Sequence, residues 1–149
     1  MTTSRTQPVT AGVARARAMY DRDLTCRTLG IELCEVAPGR ATVRMRVAAH
    51  MVNGHGTAHG GYLFLLADAA FAYACNTYGP VTVAHSAQVT FLHPVAVDDE
   101  LVAEAVERTR SGRSGLYDVA VRQPCGRVVA EFRGHSVMLS GSPAQPPLP

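Results

Sequence analysis

The longest apolar stretch of the chain runs from Tyr62 to Tyr78 and follows a glycine-rich segment, Asn53–Gly61. Its apolar residues recur at helical spacing, and further apolar residues fill the remaining faces of the predicted helix. A helix of this kind must be covered by other structure. Because Gly60 and Gly61 stand where the first turn begins, their backbone N–H groups and the positive end of the helix dipole are predicted to form a site for a carbonyl or an anion.

Most of the remaining chain alternates apolar and polar residues with a period of two, which is typical of β-strands. Strands are predicted over residues 31–36, 42–47, 81–92, 101–110, 116–122 and 128–139. A shorter amphipathic helix is predicted over residues 9–27, with Gly30 as its stop. The order of helix, two strands, long helix and four strands favours an α+β fold, in which one strongly curved antiparallel sheet wraps the apolar helix.

The composition indicates one globular domain. The 149 residues are 47% hydrophobic, which is enough to bury a core without disulfide bonds. Four cysteines are present without a C-x-x-C pair, so neither a zinc knuckle nor a redox motif is predicted, and free thiols in a reducing compartment are expected. The expected organisation is an N-terminal extension with a short helix over 1–30, the domain over 31–140, and a disordered proline-rich tail over 141–149.

Charge and hydropathy exclude two classes of partner. A net charge of +2 gives no basic footprint for nucleic acid. A window over the apolar helix contains Asp68 near its middle, together with His59 and Asn76, and this argues against a membrane span. The N-terminal residues lack the apolar core of a signal peptide. We therefore expect a cytoplasmic protein that does not enter a membrane.

Asp68 is the one carboxylate in the apolar helix. A buried carboxylate is costly unless it is paired, hydrogen-bonded or used, and burial would raise its pKa toward that of a general base. The alternative is a carboxylate that caps or pairs locally. Gly60 and Asp68 are roughly 12 Å apart along a helix, so one carbonyl, which needs contacts of about 3 Å, cannot touch both on a single helix. If both serve the same carbonyl, the site straddles a homodimer interface.

Three short motifs carry a resemblance to a known family. They are Asn53-x-x-Gly56-x-x-His59-Gly60-Gly61, Phe64-x-Leu66-Ala67-Asp68 and Phe91-Leu92-His93-Pro94. Together they resemble the hotdog-fold acyl-CoA thioesterases of the phenylacetate-degradation (PaaI-like) group, over roughly residues 30 to 140. The resemblance implies that a curved sheet wraps the long helix, that two subunits pair edge to edge, and that pairs associate into a homotetramer. It also implies active sites between subunits, which agrees with the distance argument.

The resemblance implies a role for each residue of the helix entrance. Asp68 would be the catalytic carboxylate, acting either as a general base on water or as a nucleophile. The N–H group of Gly60, with that of Gly61 as a second donor, would polarise the thioester carbonyl as an oxyanion hole. Asn53 and His59 would orient the substrate or support the loop.

Further residues are assigned more loosely by the same resemblance. Ser86 lies where related enzymes place a hydroxyl group that helps to position the attacking water, and the alternative is an ordinary strand serine. The turn after the second of the four later strands is the predicted contact for the coenzyme A phosphates, through Arg110, Gly112 and Arg113, because guanidinium groups bind phosphate well. The alternative is a solvated hairpin tip. His93 departs from the arginine that many relatives carry before the proline.

Other site chemistries have less support in the sequence. No cofactor is implied, because coenzyme A is part of the substrate. The histidines His50, His55 and His59 lie in a loop with irregular spacing and no nearby cysteine, so no metal site is predicted. The chain also lacks a G-x-S-x-G motif, which argues against serine hydrolase chemistry.

Three functions from different classes remain open. An acyl-CoA thioesterase acting on an aryl or medium-chain acyl group is favoured by Asp68 in register with Gly60, and its acyl pocket would be lined by residues such as Phe64. A non-catalytic acyl-CoA binding or sensing module could do without Asp68. A hydratase or dehydratase of the same fold would need a catalytic histidine paired with a carboxylate of the partner subunit, and His59 keeps this function open.

Overall fold

The computed structural model describes residues 10–139. The elements in chain order are α1 (Ala11–Asp21), α2 (Leu24–Leu29), β1 (Glu32–Ala37), β2 (Arg40–Arg46), a 3-10 turn (Ala49–Met51), α3 (Gly60–Cys75), β3 (Thr82–Phe91), β4 (Glu100–Ser111), β5 (Ser114–Arg122) and β6 (Val128–Met138). The predicted order of elements is confirmed, except that the N-terminal helix is divided in two and the 3-10 turn was not predicted. The predicted tail, 141–149, lies outside the described residues.

The six strands form one antiparallel sheet in the order β1-β2-β4-β5-β6-β3. Alternate residues of β2, β4, β5 and β6 are buried, so one face of the sheet is apolar, and we call it the inner face. The helix α3 packs on this face and contacts every strand. The predicted α+β hotdog architecture is confirmed. Across residues 10–139, no helix has both the length and the apolar content needed to cross a membrane.

The core between α3 and the sheet is built on aromatic rings. Phe71 of α3 packs against Tyr117 at 5.5 Å and against Phe132 at 5.7 Å between ring centroids. Gly134 makes room for this packing, because a Cβ there would lie 2.8 Å from Cε2 of Phe71. Since Asp68 is three residues before Phe71, its side chain lies on the same side of α3 as the ring. This packing fixes how α3 is rotated about its axis against β5 and β6.

The N-terminal segment is divided because Asp23 leaves the helix to cap α2. Its Oδ1 accepts a hydrogen bond from the backbone N–H of Cys26 at 2.9 Å, and its Oδ2 accepts one from the hydroxyl of Tyr73 at 2.6 Å. The capping geometry draws the chain out of the single helix predicted over 9–27. Cys26 is buried in the main core. The predicted stop at Gly30 is confirmed, with a left-handed φ of 71°.

The strand β3 lies at one edge of the sheet and is largely exposed on both faces. Its register against β6 shifts between Ala84 and Ser86, which leaves His85 as a bulge. Even-numbered residues therefore share the inner face before the bulge, and odd-numbered residues share it afterwards. The uninterrupted alternation predicted over 81–92 is wrong at this point. Among residues 10–139, no strand pairs with the outer edge of β3.

Candidate active site

The loop before α3 is held together by the side chain of Asn53. Its Oδ1 accepts hydrogen bonds from the backbone N–H of His55 at 2.9 Å and of Thr57 at 3.2 Å, and from the Thr57 hydroxyl at 3.3 Å. Gly56 takes a left-handed φ of 79° within the same turn. Asn53 thus supports the loop, which is one of its two predicted roles. With Oδ1 fully engaged, the side-chain NH₂ is the group left for a ligand in the adjacent cleft.

In the first turn of α3, His59 engages the Gly61 amide but not the Gly60 amide. His59 is the N-cap residue, and its Nδ1 accepts a hydrogen bond from the Gly61 N–H at 3.3 Å. Because Nδ1 accepts, the neutral ring carries its proton on Nε2. The N–H group of Gly60 has no acceptor within residues 10–139. Of the two predicted oxyanion donors, Gly60 is therefore available and Gly61 is engaged by His59.

A cleft of about 450 Å³ lies beside this free amide. Its lining residues are Asn53, Thr57, Ala58, Gly60, Leu63, Phe91, Leu92, His93, Pro94 and Val95. The ring of Phe91 lies against Gly60, where an added Cβ would be 2.8 Å from Cζ of the ring. A Cβ at this position would displace the ring. Sequence reasoning gave Phe91 no role, although the motif that contains it was the signal that could have placed it.

Asp68 is half-buried in the middle of α3 and has no hydrogen bond or ion pair within the described part of the chain. Burial raises the pKa of its carboxyl group above the ordinary value of 3.8. Asp68 is not among the residues that line the cleft beside Gly60. The two groups are eight residues apart on one helix, roughly 12 Å, so one protomer does not bring them together.

The surroundings of Asp68 are apolar. Phe64, one turn earlier, is half-buried and packs edge-on against Phe132 with 5.4 Å between ring centroids, so its ring is partly committed to the core. Cys75 lies two turns later, and burial raises the pKa of its thiol to about 12, with a smaller contribution from the negative charge of Asp68. A carboxylate in this setting is well suited to accept a proton, because its charged form is poorly solvated.

Ser86 lies on the opposite side of the sheet from Asp68. It pairs with His135 of β6, and its hydroxyl oxygen is 2.9 Å from Nδ1 of that histidine. The neighbours of His135 in β6, Gly134 and Ser136, are buried on the inner face, whereas His135 is exposed on the outer face. The position favours the alternative of an ordinary strand serine over a role beside Asp68.

Of the two arginines predicted to contact phosphate, Arg110 is held by neighbouring side chains and Arg113 is not, within the part of the chain that the structure describes. The guanidinium carbon of Arg110 lies 3.4 Å from the ring centroid of Tyr78, and its Nε donates to Oε1 of Glu107 at 2.9 Å. The Tyr78 hydroxyl donates to the same carboxylate. Arg113 lies at the tip of the β4–β5 hairpin after Gly112, which has a φ of 59°, and its guanidinium has no partner among residues 10–139. Within that range, no three His, Cys, Asp or Glu side chains form a group that could hold a metal ion.

Comparison with known sequences identifies relatives of the chain. The sequence profile described as the thioesterase superfamily matches residues 55–130. The acyl-coenzyme A thioesterase PaaI of Escherichia coli (strain K12) is 42% identical over 127 residues, which are 85% of this chain and 91% of that protein.

Solved structures give the same result. The PaaI protein from the phenylacetic acid degradation operon of E. coli superposes with a TM-score of 0.84 at 39% identity, over 90% of this chain and 100% of the other. The TT0310 protein of Thermus thermophilus superposes with a TM-score of 0.76 at 42% identity, over 79% and 99% of the two chains. The protein is a thioester hydrolase and belongs to the thioesterase superfamily.

Proposed function

We propose that this thioesterase hydrolyses an aryl or medium-chain acyl-CoA thioester to the free acid and coenzyme A. One observation carries the proposal. The chain has a free amide, that of Gly60, at the positive end of a buried helix, and an unpartnered carboxylate with a raised pKa, that of Asp68, on the same helix. A relative that is 42% identical is named as an acyl-coenzyme A thioesterase, which supports this substrate class.

The reaction needs only a proton acceptor and an oxyanion donor. Asp68 accepts a proton from water as the water oxygen bonds to the thioester carbonyl carbon. The negative charge that forms on the carbonyl oxygen is stabilised by the Gly60 N–H and by the helix dipole. The tetrahedral intermediate then breaks its C–S bond, and the thiolate takes the proton from Asp68 and leaves as free coenzyme A. If Asp68 instead attacks the carbonyl directly, water hydrolyses the resulting anhydride and gives the same products.

The distance between the two groups supports a site shared between two copies of the chain. An antiparallel partner helix places its Asp68 level with Gly60 only if the two-fold axis passes midway between them, at Phe64. Phe64 packs on Phe132, and Phe132 pairs with Val89. We therefore infer that a second copy adds to the open edge of β3 with the axis near Val89. A homotetramer built from two such dimers stays a prediction.

The remaining predicted residues fit supporting roles. Asn53 and His59 hold the loop and the first turn that bring Gly60 to the cleft. Arg113 is the better phosphate contact in the β4–β5 turn, because Arg110 is held by Glu107. Coenzyme A is part of the substrate, so no separate cofactor is proposed. The cytoplasmic location stays a prediction from the sequence.

Two alternatives have less support. A non-catalytic acyl-CoA binding module does not need an unpartnered carboxylate, and the cost of burying Asp68 is then unexplained. A hydratase or dehydratase would use a histidine as base, whereas Nδ1 of His59 is occupied by the Gly61 amide. The thioesterase function uses both Asp68 and the free Gly60 amide.

A panel of acyl-CoA thioesters tests the function. Release of free thiol is measured with phenylacetyl-, hydroxybenzoyl-, hexanoyl- and acetyl-CoA. Hydrolysis of at least one panel member is expected, and Asp68→Asn should lower kcat by about 10²–10⁴-fold, the usual contribution of a general base. Failure of the wild-type protein to release thiol from any of them would overturn the proposed substrate class.

Two substitutions at Gly60 separate the amide from the space around it. Both Gly60→Ala and Gly60→Pro add a Cβ against the Phe91 ring, but only proline removes the N–H group. Proline is well tolerated at the first position of a helix, so the fold should persist. Gly60→Pro should lose about 10²–10³-fold more activity than Gly60→Ala. Equal losses in the two variants would show that the amide is not the oxyanion donor.

Mixed dimers test whether the site is shared. Asp68→Asn and Gly60→Pro chains carrying different tags are co-expressed, and the mixed dimer is purified. If the two groups come from different subunits, one site in each mixed dimer carries both changes and the other carries neither. The mixed dimer should then be far more active than either parent. Activity no higher than that of the parents would place both groups in one subunit.

A further inference from the structure

Phe91 has a half-exposed aromatic side chain, and its ring lies beside Gly60 at the proposed site. Its exposed fraction is 52%, although it points to the inner face of the sheet, opposite the buried Ala130. Large aromatic side chains on an inner face are normally covered by packing. The tip of this ring lies against the Cβ position of Gly60, and Phe91 also lines the cleft. Because Phe91 lines the cleft, a ligand bound there would contact this ring.

The cleft that Phe91 borders is lined mostly by apolar residues. They are Ala58, Leu63, Phe91, Leu92, Pro94 and Val95. Its polar lining residues are Asn53, Thr57 and His93. An apolar pocket with a few polar groups at one side is typical of a site that encloses the apolar part of a ligand.

We propose that Phe91 determines acyl-group selectivity by forming one wall of the acyl subsite, and that it favours an aromatic acyl group over acetyl. The inference rests on the proposed function, because it takes the Gly60 N–H as the donor to the thioester oxygen. A carbonyl oxygen about 2.9 Å from that nitrogen brings the first carbons of the acyl group close to the ring, since a Cβ added to the same residue would lie 2.8 Å from Cζ of the ring. Aromatic rings gain from edge-to-face or offset contact with each other.

The test compares two substrates in matched variants. For each protein, kcat/KM is measured with phenylacetyl-CoA and with acetyl-CoA, and the ratio is taken. Phe91→Ala should lower this ratio by about ten-fold or more, as expected when a pocket loses a large apolar contact. Phe91→Leu keeps an apolar side chain without the flat ring and should fall between the wild type and the alanine variant. Leu24→Ala, a change at a side chain that is 71% exposed on α2, should leave the ratio unchanged.

The outcomes separate selectivity from folding and from assembly. A ratio for Phe91→Ala equal to that of the wild type would overturn the proposal, as would equal losses with both substrates. If Phe91→Ala does not assemble, which sedimentation velocity would show, the ratio in Phe91→Leu decides. If the wild type hydrolyses no thioester, the proposed function fails. Calorimetric binding of phenylacetyl-CoA and coenzyme A then tests Phe91 on its own, and Phe91→Ala should lose the affinity gained from the phenylacetyl group.

Discussion

The hydroxyl oxygen of Ser86 lies 2.9 Å from Nδ1 of His135, on the face of the sheet that points away from α3. Asp68 lies on the other side of the same sheet. A second copy that extends the sheet from β3 keeps each face continuous, because opposite residues of antiparallel strands point to the same side. Ser86 of either copy therefore stays on the outer face, away from the proposed reaction centre.

Ser86→Ala is expected to leave thioester turnover unchanged. The substitution removes a hydrogen bond between two exposed side chains and touches no group near Gly60 or Asp68. Steady-state hydrolysis with the best panel substrate gives the answer, with Asp68→Asn measured beside it as the inactive reference. A ten-fold loss of kcat in Ser86→Ala would restore the role in positioning water that the sequence resemblance assigned to it.

Asp68→Asn is expected to stabilise the fold in a pH-dependent way. Burial raises the pKa of Asp68 in the folded state above its ordinary value of 3.8. At a pH between 3.8 and this raised pKa, the folded state therefore binds more protons than the unfolded state. The stability of the wild type must then fall as pH rises through that window. When urea unfolding is measured from acid to neutral pH, the free energy of unfolding of Asp68→Asn should increase relative to that of the wild type as pH rises. A variant less stable at neutral pH would mean that the carboxylate has a stabilising partner.

Tyr73→Phe tests the connection between α3 and the N-terminal segment. Burial raises the pKa of the Tyr73 phenol, which stays protonated and donates to Asp23. For Asp23, burial acts to raise the pKa, but hydrogen bonds from Tyr73 and Cys26 outweigh it and lower the pKa below 3.8. Loss of the donor should cost about 1–2 kcal/mol at pH 7.

The hydrogen bond between Tyr73 and Asp23 should also make the stability of the fold depend on pH. A lowered pKa gives stability that is present above 3.8 and is lost as pH falls through the folded-state value. The difference between the wild type and Tyr73→Phe should therefore shrink in acid. Thermal unfolding of both proteins across the acid range measures it, and a difference that stays constant would show that the hydrogen bond does not depend on the charge of Asp23.

Paired cysteines on β3 test the inferred subunit register. With the two-fold axis at Val89, Gln88 of one copy stands opposite Thr90 of the other, at a separation that a disulfide can span. In a background where Cys34 and Cys125 are replaced by serine, the double variant Gln88→Cys/Thr90→Cys should form a covalent dimer on oxidation. Each single variant is its control and should remain unlinked. A dimer linked through Gln88→Cys alone would move the axis to residue 88.

Local patterns were sufficient to predict most of the fold. The apolar helix, the order of helices and strands along the chain, and the stop at Gly30 all follow from periodicity and turn residues close in the chain. The bulge at His85 depends on the register against residues about fifty positions later, and alternation within one strand does not contain that information. The break before α2 depends on Asp23, whose second partner, Tyr73, is equally distant.

The site shows the same division between local and distant information. The motif predicted that Gly60 begins the helix and that Asn53 belongs to its loop, because both roles are set by nearby backbone. The motif did not predict that Arg110 stacks on Tyr78, since the two residues are brought together only by the folded sheet. The contact of Phe91 with Gly60 likewise joins residues that are 31 positions apart.

The open edge of β3 has a kinetic consequence. If each reaction centre takes Gly60 from one chain and Asp68 from another, an isolated chain contains no complete reaction centre. Mass action then governs the catalytic output, and specific activity should decline on dilution below the dissociation constant of the pair. The amount of protein in a compartment would set not only how many catalysts are present but also whether they are catalysts at all.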